Sequence, residues 1–339
     1  MVRIKDIADH VGVSATTVSN VLHGKDQRVS PETRRKIETA IKEMGYIPSM
    51  GALMLAQEKS CIIGVILFNK GKRNEPTLTD PYYGSLVGYL DQYIKERHHY
   101  MLMLTVDKVE DIVRQTKAWN LDGLISCNMQ PDALDYLYAL SQIPLVSLDA
   151  YMEDKASFKN ITTDDFGGGY QMGRFFAAMG HRNILMISDN DLAVDHHRWL
   201  GLKRGLEDAG IFMEEKRHVI VSNLYEERLV QLRQHKKLFR QQTALFFSSD
   251  YYAMEACSVL RHMGFRIPED ISVAGFDDLF SSRMVTPALT TIRQNIDQKA
   301  KMAVDGLFGL MNGTQDGTES RKALLPVELI ERESVKRLG

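Results

Sequence analysis

Residues 4–22 read IKDIADHVGVSATTVSNVL, and this stretch predicts two short helices joined by a tight turn. Gly12 suits the turn because glycine adopts positive φ at little cost, and Ser14 can cap the second helix. Apolar residues recur at helical spacing on both sides of the turn, at Ile4, Ile7, Ala8 and Val11 and then at Val13, Val18, Val21 and Leu22. In a helix-turn-helix of this layout, the second helix enters the major groove of DNA. The stretch therefore predicts DNA as a partner.

A third helix follows in the sequence. The residues SPE at 30–32 combine an N-cap, a proline at the first helical position and an acid in the first turn. The apolar face of this helix is predicted at Ile37, Ala40, Ile41 and Met44. Gly45 ends the helix, and Pro48 blocks its continuation. We therefore expect a three-helix head over residues 1–47 and a hinge segment over residues 48–60.

The composition is that of an ordinary globular protein, with 44% hydrophobic and 25% charged residues in a chain of 339. This length suits about two or three domains. The net charge is −2, whereas residues 1–60 carry nine Lys or Arg against seven Asp or Glu. The basic charge of the head is therefore slight and local, which is compatible with DNA binding but does not demonstrate it.

The sequence also bears on the compartment. The three cysteines lie far apart in apolar stretches, which favours buried reduced thiols over disulfides. No apolar leader opens the chain, and no uninterrupted apolar run approaches the roughly 18 residues that span a membrane. We therefore expect a cytoplasmic protein without a membrane partner.

From Cys61 onward, short apolar runs alternate with amphipathic stretches of helical length. The runs predicted to be strands are 62–68, 101–106, 123–126, 145–148, 184–187, 219–221, 244–247 and 273–276. The stretches predicted to be helices include 82–97, 166–179, 198–209, 253–263 and 296–311. About eleven strands are more than one doubly wound sheet usually holds. We expect an α/β core of two similar parallel sheets, with a ligand cleft at the carboxyl ends of the strands.

Short motifs stand in a definite order along the head and the core. In the head they are IKDIA at 4–8, GVS at 12–14, TVS at 17–19, TR at 33–34 and GYIP at 45–48. In the core they are GHRNI at 180–184, IPEDISV at 267–273, GFDD at 275–278 and TPALTTI at 286–292. Together and in this order, the motifs and the arrangement of parts resemble the LacI/GalR family of bacterial repressors over essentially the whole chain.

The resemblance implies a core like that of periplasmic binding proteins and a homodimer that binds a pseudo-palindromic operator in double-stranded DNA. A small metabolite in the cleft then changes the affinity for DNA. The effector-binding and dimerisation core covers residues 61–339, and the chain crosses between its lobes three times. Lobe 1 is expected at about 61–161 and 293–322, and lobe 2 at about 162–292 and 323–339. The chain ends without the additional leucine-rich helix of tetrameric members, which favours a dimer.

The second helix places Thr16 and Asn20 on one face, with Ala15 beside them. The resemblance assigns base reading to these three residues. Asparagine can bridge N6 and N7 of adenine, and threonine or alanine can contact a thymine methyl group. Phosphate contacts are implied for Arg3, Ser14, Thr17, Ser30, Thr33 and Tyr46. Ser14 and Ser30 also have a purely structural interpretation as N-caps, and the two roles are compatible.

The same resemblance draws attention to three positions, one in the head and two in the hinge. Leu55 matches a leucine that inserts into the minor groove and kinks the central base step, although packing against the next lobe is an alternative. Arg3 stands where the family usually has a capping threonine, so we expect a weaker start of the first helix. Gly51 costs a helix about 1 kcal/mol relative to alanine, which predicts that hinge folding depends more on DNA.

Polar residues near predicted strand ends are the candidates for effector binding. Asp149 and Asp277 each follow a strand, Arg198 opens a helix, and Ser249 and Asp250 follow another strand. The resemblance carries effector binding onto these positions. Carboxylates and a forked guanidinium suit a polyol because each can engage two adjacent hydroxyl groups.

Tyr82 and Tyr83 are further candidates for the effector site. An aromatic ring at this position could stack on the apolar face of a sugar, but the pair could equally belong to the core of an amphipathic helix. The predicted effector is a sugar or a sugar phosphate, and the predicted function is repression of carbohydrate-utilisation genes. A repressor of the same family that responds to a purine or another metabolite is the alternative. A purine is less favoured because Ala150 and Leu192 replace an aromatic residue and an arginine of the purine-binding branch.

Two other classes of protein, a receptor and an enzyme, are alternatives to a regulator. A carbohydrate-binding receptor fits the core but not the DNA-binding head. The segment GGGYQMG at 167–173 departs from the dinucleotide-binding pattern at Met172, and helix-sheet packing explains its glycines more simply. His98-His99 and His196-His197 are adjacent pairs that point apart on a helix, so they do not suggest a metal site. We expect no enzyme activity, no cofactor and no metal.

Overall fold

The computed structural model describes residues 2–22, 26–47, 60–68, 76–151, 158–314 and 322–339. By its contacts the chain divides into two units, Met1–Cys61 and Ile62–Gly339. Leu55, Gly51 and most of the expected hinge lie outside the described residues.

The described residues of the first unit form three helices, α1 (Ile4–Val11), α2 (Ala15–Leu22) and α3 (Pro31–Glu43). Each helix contributes a fully buried aliphatic side chain to a common core, Ile7, Val18 and Ile37 respectively. Gly12 joins α1 to α2 with φ at +76°, the left-handed conformation for which glycine was expected. The helix-turn-helix prediction is confirmed.

The helix starts follow the predicted caps, with one adjustment. The Thr17 N–H donates to Ser14 Oγ at 3.1 Å, and the Thr33 N–H donates to Ser30 Oγ at 3.2 Å. Arg3 offers no side-chain acceptor to α1. Asp6 Oδ2 instead accepts the Arg3 N–H at 2.8 Å, which satisfies one backbone donor at the start of α1.

The second unit contains two six-stranded sheets, which confirms the predicted α/β core. The strands of the first sheet are β1 (Ile62–Phe68), β2 (Tyr100–Val106), β3 (Gly123–Cys127), β4 (Leu145–Leu148), β5 (Lys159–Thr163) and β11 (Lys322–Leu325). Those of the second sheet are β6 (Ile184–Ser188), β7 (His218–Ile220), β8 (Ala244–Phe247), β9 (Ser272–Asp277), β10 (Thr290–Gln294) and β12 (Val327–Ile330). The spatial orders are β11-β5-β4-β3-β1-β2 and β12-β10-β9-β8-β6-β7.

One strand pair corrects the expectation of purely parallel sheets. Among the described residues, β10 and β12 form the single antiparallel pair. Pro326 alone separates β11 from β12. Because β11 runs toward the cleft in parallel with its own sheet, the chain enters the second sheet from the cleft side, and β12 must run against β10.

Helices cover both sheets. In chain order they are α4 (Pro81–Glu96), α5 (Val109–Ala118), α6 (Pro131–Ser141), α7 (Asp165–Ala178), α8 (Ala193–Glu207), α9 (Tyr225–Gln234), α10 (Lys236–Phe239), α11 (Asp250–His262) and α12 (Ile296–Met311). Helices α4 to α6 and α12 pack in the first lobe, and α7 to α11 pack in the second. The chain passes between the lobes after β5, after β10 and between β11 and β12. Among the described residues, no helix has the length and apolar character needed to cross a membrane.

Helices α7 and α8 approach each other closely because glycines line their contact. A Cβ added to Gly169 would lie 2.1 Å from the Arg198 carbonyl oxygen, and one added to Gly205 would lie 2.4 Å from the Tyr170 carbonyl oxygen. Within the glycine run at 167–169, Gly168 alone meets the sheet, at the Phe276 ring. The helix-sheet explanation of that run therefore needs correcting, because Gly169 serves packing between helices.

Two further expectations change in detail. Helix α8 begins at Ala193, so Arg198 lies in its second turn rather than at its start. Cys127 and Cys257 are buried as expected, whereas Cys61 is partly exposed. Burial raises the pKa of both buried thiols to about 12, so they stay protonated at neutral pH.

Candidate functional site

A cleft opens between the carboxyl ends of the two sheets within the second unit. It contains a cavity of about 120 Å³ that opens to solvent. The cavity wall is formed by Asp80, Tyr82, Tyr83, Leu86, Cys127, Asn128, Asp149, Asp189, Asn190, Val194, Asp195, Arg198, Ser248, Ser249, Tyr252, Asp277 and Gln294. Both lobes contribute to this wall, as expected for a ligand site in a two-lobed α/β core.

Unusual backbone conformations aim several side chains into the cavity. Asn128 follows β3 with φ at +55°, Asp149 follows β4 with φ at +57°, and Asp277 ends β9 with φ at +120°. Residues other than glycine seldom adopt positive φ, and such residues cluster at functional sites. Two of these positions, Asp149 and Asp277, are candidates that the sequence placed at strand ends, whereas Asn128 was not predicted.

A buried lysine on α12 holds one of these carboxylates. Lys299 Nζ lies 2.8 Å from both carboxylate oxygens of Asp149, 2.8 Å from Gln294 Oε1 and 3.1 Å from the Tyr82 hydroxyl. The Tyr82 hydroxyl in turn donates to Asp149 Oδ2 at 3.0 Å. Asp149 therefore faces the cavity already paired with a protein cation.

Sequence reasoning missed Lys299, although a signal existed. Lysine is almost never fully buried unless it is paired, so a lysine on a helix gives no indication by itself of a buried site. Lys299 nevertheless stands three residues after Ile296 and four before Ala303, on the buried stripe of α12.

Arg198 is held by three contacts inside the second lobe. Its Nε donates to Asp165 at 2.7 Å, its Nη1 donates to the Ser248 carbonyl oxygen, and its guanidinium lies 3.6 Å from the centre of the Phe276 ring. Burial alone lowers the pKa of Arg198, but the carboxylates of Asp165 and Asp277 outweigh burial and raise it. Asp165, a partner that the sequence did not suggest, orients the guanidinium toward the cavity.

Two neighbouring aspartates lie close together in the cavity wall. The Asn190 side-chain amide donates to Asp189 Oδ1 at 2.6 Å and to Asp195 Oδ2 at 2.9 Å. The Tyr252 hydroxyl donates to Asp189 Oδ2 at 2.8 Å. Burial first, and then the charge of Asp189, raise the pKa of Asp195 well above its ordinary value. None of these four residues was predicted.

Asp277 is almost completely buried at the end of β9. Gln294 Nε2 donates to its Oδ1 at 2.6 Å, and Thr163 Oγ1 donates to Gln294 Oε1 at 2.9 Å. Burial raises the pKa of Asp277 to about 7, against the opposing effect of Arg198. The Asp277 carboxyl therefore changes charge near neutral pH.

The structure brings most of the predicted effector residues together. Six of them line the cavity, namely Tyr82, Tyr83, Asp149, Arg198, Ser249 and Asp277. Asp250 lies behind the wall instead, fully buried, where it accepts the Thr291 hydroxyl at 2.6 Å and the Leu279 N–H at 2.9 Å. The sequence could not separate Ser249 from Asp250, because both follow the same strand.

The predicted DNA residues lie on the first unit. Ala15 and Thr16 are exposed on α2, and Asn20 is half-buried. Arg3, Ser14 and Ser30 are exposed, whereas Thr17, Thr33 and Tyr46 are half-buried. The Ser14 and Thr17 hydroxyls lie 2.9 Å apart, and those of Ser30 and Thr33 lie 2.8 Å apart. Each helix start thus presents a pair of hydroxyls beside backbone N–H groups, an arrangement that suits a phosphate.

A Ser-His-Asp set also occurs near the cleft. Ser188 Oγ lies 2.7 Å from His218 Nε2, and His218 Nδ1 lies 3.6 Å from Asp191 Oδ1. However, Ser188 is buried and donates its proton to the Asn190 carbonyl oxygen at 2.6 Å. The imidazole is therefore not placed to activate this hydroxyl as a nucleophile.

Comparison with known proteins places the chain in a family. Residues 3–49 match the family described as "Bacterial regulatory proteins, lacI family", and residues 174–335 match a periplasmic binding protein-like domain. The repressor PurR of Erwinia tasmaniensis is 30% identical over 345 residues, which cover 99% of this chain and 97% of the relative. The chain belongs to the LacI family. The regulator DegA of Bacillus subtilis is 28% identical over 99% of this chain and 98% of its own length.

Solved structures agree with this assignment. A lac repressor dimer bound to operator and the anti-inducer ONPF is 26% identical, covers 99% of both chains and has a TM-score of 0.84. A complex of the transcriptional regulator CelR with cellobiose is 25% identical, covers 98% of this chain and all of its own, and has a TM-score of 0.73. This LacI-family chain is a DNA-binding transcriptional regulator with a core for a small-molecule effector.

Proposed function

We propose that the chain represses carbohydrate-utilisation genes and that a sugar or sugar phosphate in the cleft changes its affinity for the operator. The observation that carries this proposal is the cavity wall, which combines the Tyr82 and Tyr83 rings with carboxylates and the Arg198 guanidinium. Aromatic faces and bidentate polar groups suit a polyol. Asp149, Ser249 and Asp277 complete the proposed contacts, and Asp250 supports the wall from behind.

The proposed DNA contacts follow from the head. Ala15, Thr16 and Asn20 read bases, and Leu55 enters the minor groove. Arg3, Ser14, Thr17, Ser30, Thr33 and Tyr46 contact phosphates. Two heads of a homodimer bind the two halves of a pseudo-palindromic operator. We infer that the protein acts in the cytoplasm, has no membrane partner and is not an enzyme.

A purine effector is the second candidate, because PurR repressors are among the relatives at about 30% identity. Two positions argue against it. Ala150 is buried and offers no aromatic ring, and Leu192 is exposed and offers no guanidinium. Stacking and hydrogen bonding of a nucleobase would need other residues.

Fluorescence anisotropy with DNA from around the protein's own gene tests both the proposed operator binding and the proposed response to a sugar. We expect a salt-dependent complex whose affinity changes at least tenfold with one sugar of a panel of mono- and disaccharides. Nucleobases are the matched comparison. Absence of any complex at low salt would refute the regulator's DNA site, and a larger response to hypoxanthine or guanine than to any sugar would favour the purine candidate.

Ser30 separates capping from phosphate binding. Ser30→Ala removes the cap and should destabilise the head by about 1 kcal/mol. Ser30→Asp keeps a cap but places a negative charge beside the phosphate, so it should retain the melting temperature and lose operator affinity. Equal operator affinity of Ser30→Asp and the unchanged protein would show that Ser30 only caps α3.

A further inference from the structure

The described residues of the cleft wall include more acidic than basic side chains. They are five aspartates, Asp80, Asp149, Asp189, Asp195 and Asp277, and one cation, Arg198. Two cations border the cavity if Lys299 is included, and each already has a partner. Lys299 pairs with Asp149, and Arg198 pairs with Asp165.

Three of the remaining carboxylates, those of Asp189, Asp195 and Asp277, are not paired with a cation in the parts of the chain that the structure describes. Within the described parts of the chain, no Lys, Arg or His nitrogen lies within 4.0 Å of the carboxylates of Asp189, Asp195 or Asp277. The hydrogen bonds of Asp189 and Asp195 come from the neutral groups of Asn190, Tyr252 and Ser248 and from the contact between the two carboxyl groups themselves. Two adjacent carboxylates repel each other unless they share a proton or a cation sits between them.

Asp277 adds to the same imbalance from β9. It is 4% exposed, and among the described residues its carboxylate accepts one hydrogen bond, from the Gln294 amide to Oδ1. A carboxylate that is buried to this extent is costly unless it is paired. The cavity is the side from which a partner can reach it, since Asp277 lines the wall.

We propose that the effector is a sugar that carries a free amino group, and that its ammonium ion sits against Asp189 and Asp195 and faces Asp277. This proposal rests on the proposed sugar-responsive function and narrows it. An ammonium group has three donors and a full charge, so it satisfies the paired aspartates in a way that a hydroxyl group does not. The same negative field disfavours a sugar phosphate.

A divalent cation is a weaker explanation of these carboxylates. The ligand atoms of Asp189, Asp195 and Asp277 do not all lie within 4.8 Å of one another, as a common metal site would require. An ammonium group can donate hydrogen bonds to Asp189 and Asp195 and attract Asp277 through its charge. It therefore does not require ligand atoms of all three carboxylates to lie around one point.

Isothermal titration of the full-length protein with matched ligands tests the proposal. Each hexose of the gluco, galacto and manno series is used in three forms, as the parent sugar, the 2-amino sugar and the N-acetyl sugar. Putrescine serves as an amine without a sugar. We expect one 2-amino sugar to bind at least tenfold more tightly than its parent, which differs from it chiefly in charge, and than its N-acetyl form, which lacks the charge and carries an added acetyl group.

Variants locate the ammonium group. Asp195→Asn should reduce the preference for the amino sugar over its parent at least fivefold, and Asp189→Asn should act in the same direction. Asp191→Asn is the matched control, because Asp191 lies in the same loop but is exposed and contacts His196. It should leave the preference unchanged. Thermal melting verifies that each variant is folded.

Proton release gives a second readout. Asp195 faces Asp189 and Arg198, and Asp277 faces Arg198, Asp80 and Lys299. If an ammonium ion displaces a proton held by these carboxylates, titrations in buffers of different ionisation enthalpy should report release of part of a proton. A neutral sugar should release none.

The outcomes separate this proposal from the proposed function. Tighter binding of a neutral sugar or a sugar phosphate would overturn the ammonium inference and leave the sugar-responsive repressor intact. Putrescine as the tightest ligand would support the ammonium site and contradict the sugar. Failure of every amine to bind, or an unchanged preference in both Asp189→Asn and Asp195→Asn, would overturn the ammonium inference.

Discussion

At the scale of single residues, the cleft is organised by charges that lie where charge is expensive. Lys299 is 1% exposed and meets Asp149, Gln294 and Tyr82 within hydrogen-bonding distance. A buried ion pair gains little over an apolar pair of the same size, but loss of one partner leaves the other uncompensated. The pair therefore fixes the geometry of Asp149 more than it stabilises the fold.

A double-mutant cycle measures this coupling. Lys299→Met should lower the free energy of unfolding by about 3 kcal/mol, because Asp149 loses its counter-ion. Asp149→Asn should have a similar effect on Lys299. The double variant should be less destabilised than either single one. Chemical denaturation provides the measurement, and additive losses would mean that the two residues do not act as a pair.

Asp277 should make stability depend on pH. Burial raises its pKa to about 7, so the folded protein favours the protonated form. Its stabilising contribution is complete below the pKa of the unfolded chain, near 4, and is lost as the pH rises through 7. Between pH 5 and 7 we expect the unfolding free energy to fall by up to about 1.4 kcal/mol per pH unit relative to Asp277→Asn. Parallel pH profiles of the two proteins would contradict this.

The residues that sequence reasoning found and missed differ in one respect. Asp149, Arg198 and Asp277 could be predicted because strand ends and motifs mark them. The ion pairs of Asp165 and Lys299 could not be predicted, because their partners lie far away in the chain and burial brings them together, although the place of Lys299 on the buried stripe of α12 was readable. A polar residue on an amphipathic helix reads as solvated until tertiary packing covers it.

At the scale of elements, the close contact between α7 and α8 determines where Arg198 lies. A Cβ on Gly173 would lie 2.5 Å from the Leu202 carbonyl oxygen, so the helices cannot keep their distance if a side chain is added. Backbone atoms cannot move aside as a flexible side chain can.

Gly173→Ala should therefore cost about 1 to 3 kcal/mol of stability and weaken effector binding. Gly88→Ala is the matched control, since Gly88 lies within α4 and its added Cβ would meet nothing within 4 Å. It should stabilise the protein by up to about 1 kcal/mol through helix propensity. Melting curves of both variants measure these changes in stability. A Gly173→Ala protein as stable as the unchanged chain would refute the close contact.

The elements themselves were largely predictable. Long runs such as β1 (Ile62–Phe68) and α12 (Ile296–Met311) have the predicted bounds, because their apolar pattern and caps agree. The start of α8 was misplaced by five residues. Its first turn, from Ala193, contains Asp195 and His196, which carry no apolar signal, and its N-cap Leu192 makes no capping hydrogen bond. The antiparallel β12 could not be predicted from a strand pattern, since direction depends on where the chain enters the sheet.

At the scale of the whole molecule, the contacts divide the chain into two units. We expect residues 60–339 to fold without the head and to bind the effector with an affinity within about threefold of the full chain, since the cavity wall lies entirely within that range. A shorter chain of residues 60–294 lacks α12, β11 and β12 and should not fold. Circular dichroism and effector titration compare the two, and a cooperative melt of the shorter chain would contradict the prediction.

The three passages between lobes also govern how the protein can be made. Helix α12 supplies Ala300, Val304 and Leu307 to the core of the first lobe, and Val335 completes a core of the second. When translation has reached the end of β10, the nascent chain therefore contains two incomplete hydrophobic cores and no complete lobe. Both lobes close only when the last part of the chain emerges, so a prematurely terminated polypeptide yields no functional half and becomes a substrate for chaperones and proteases.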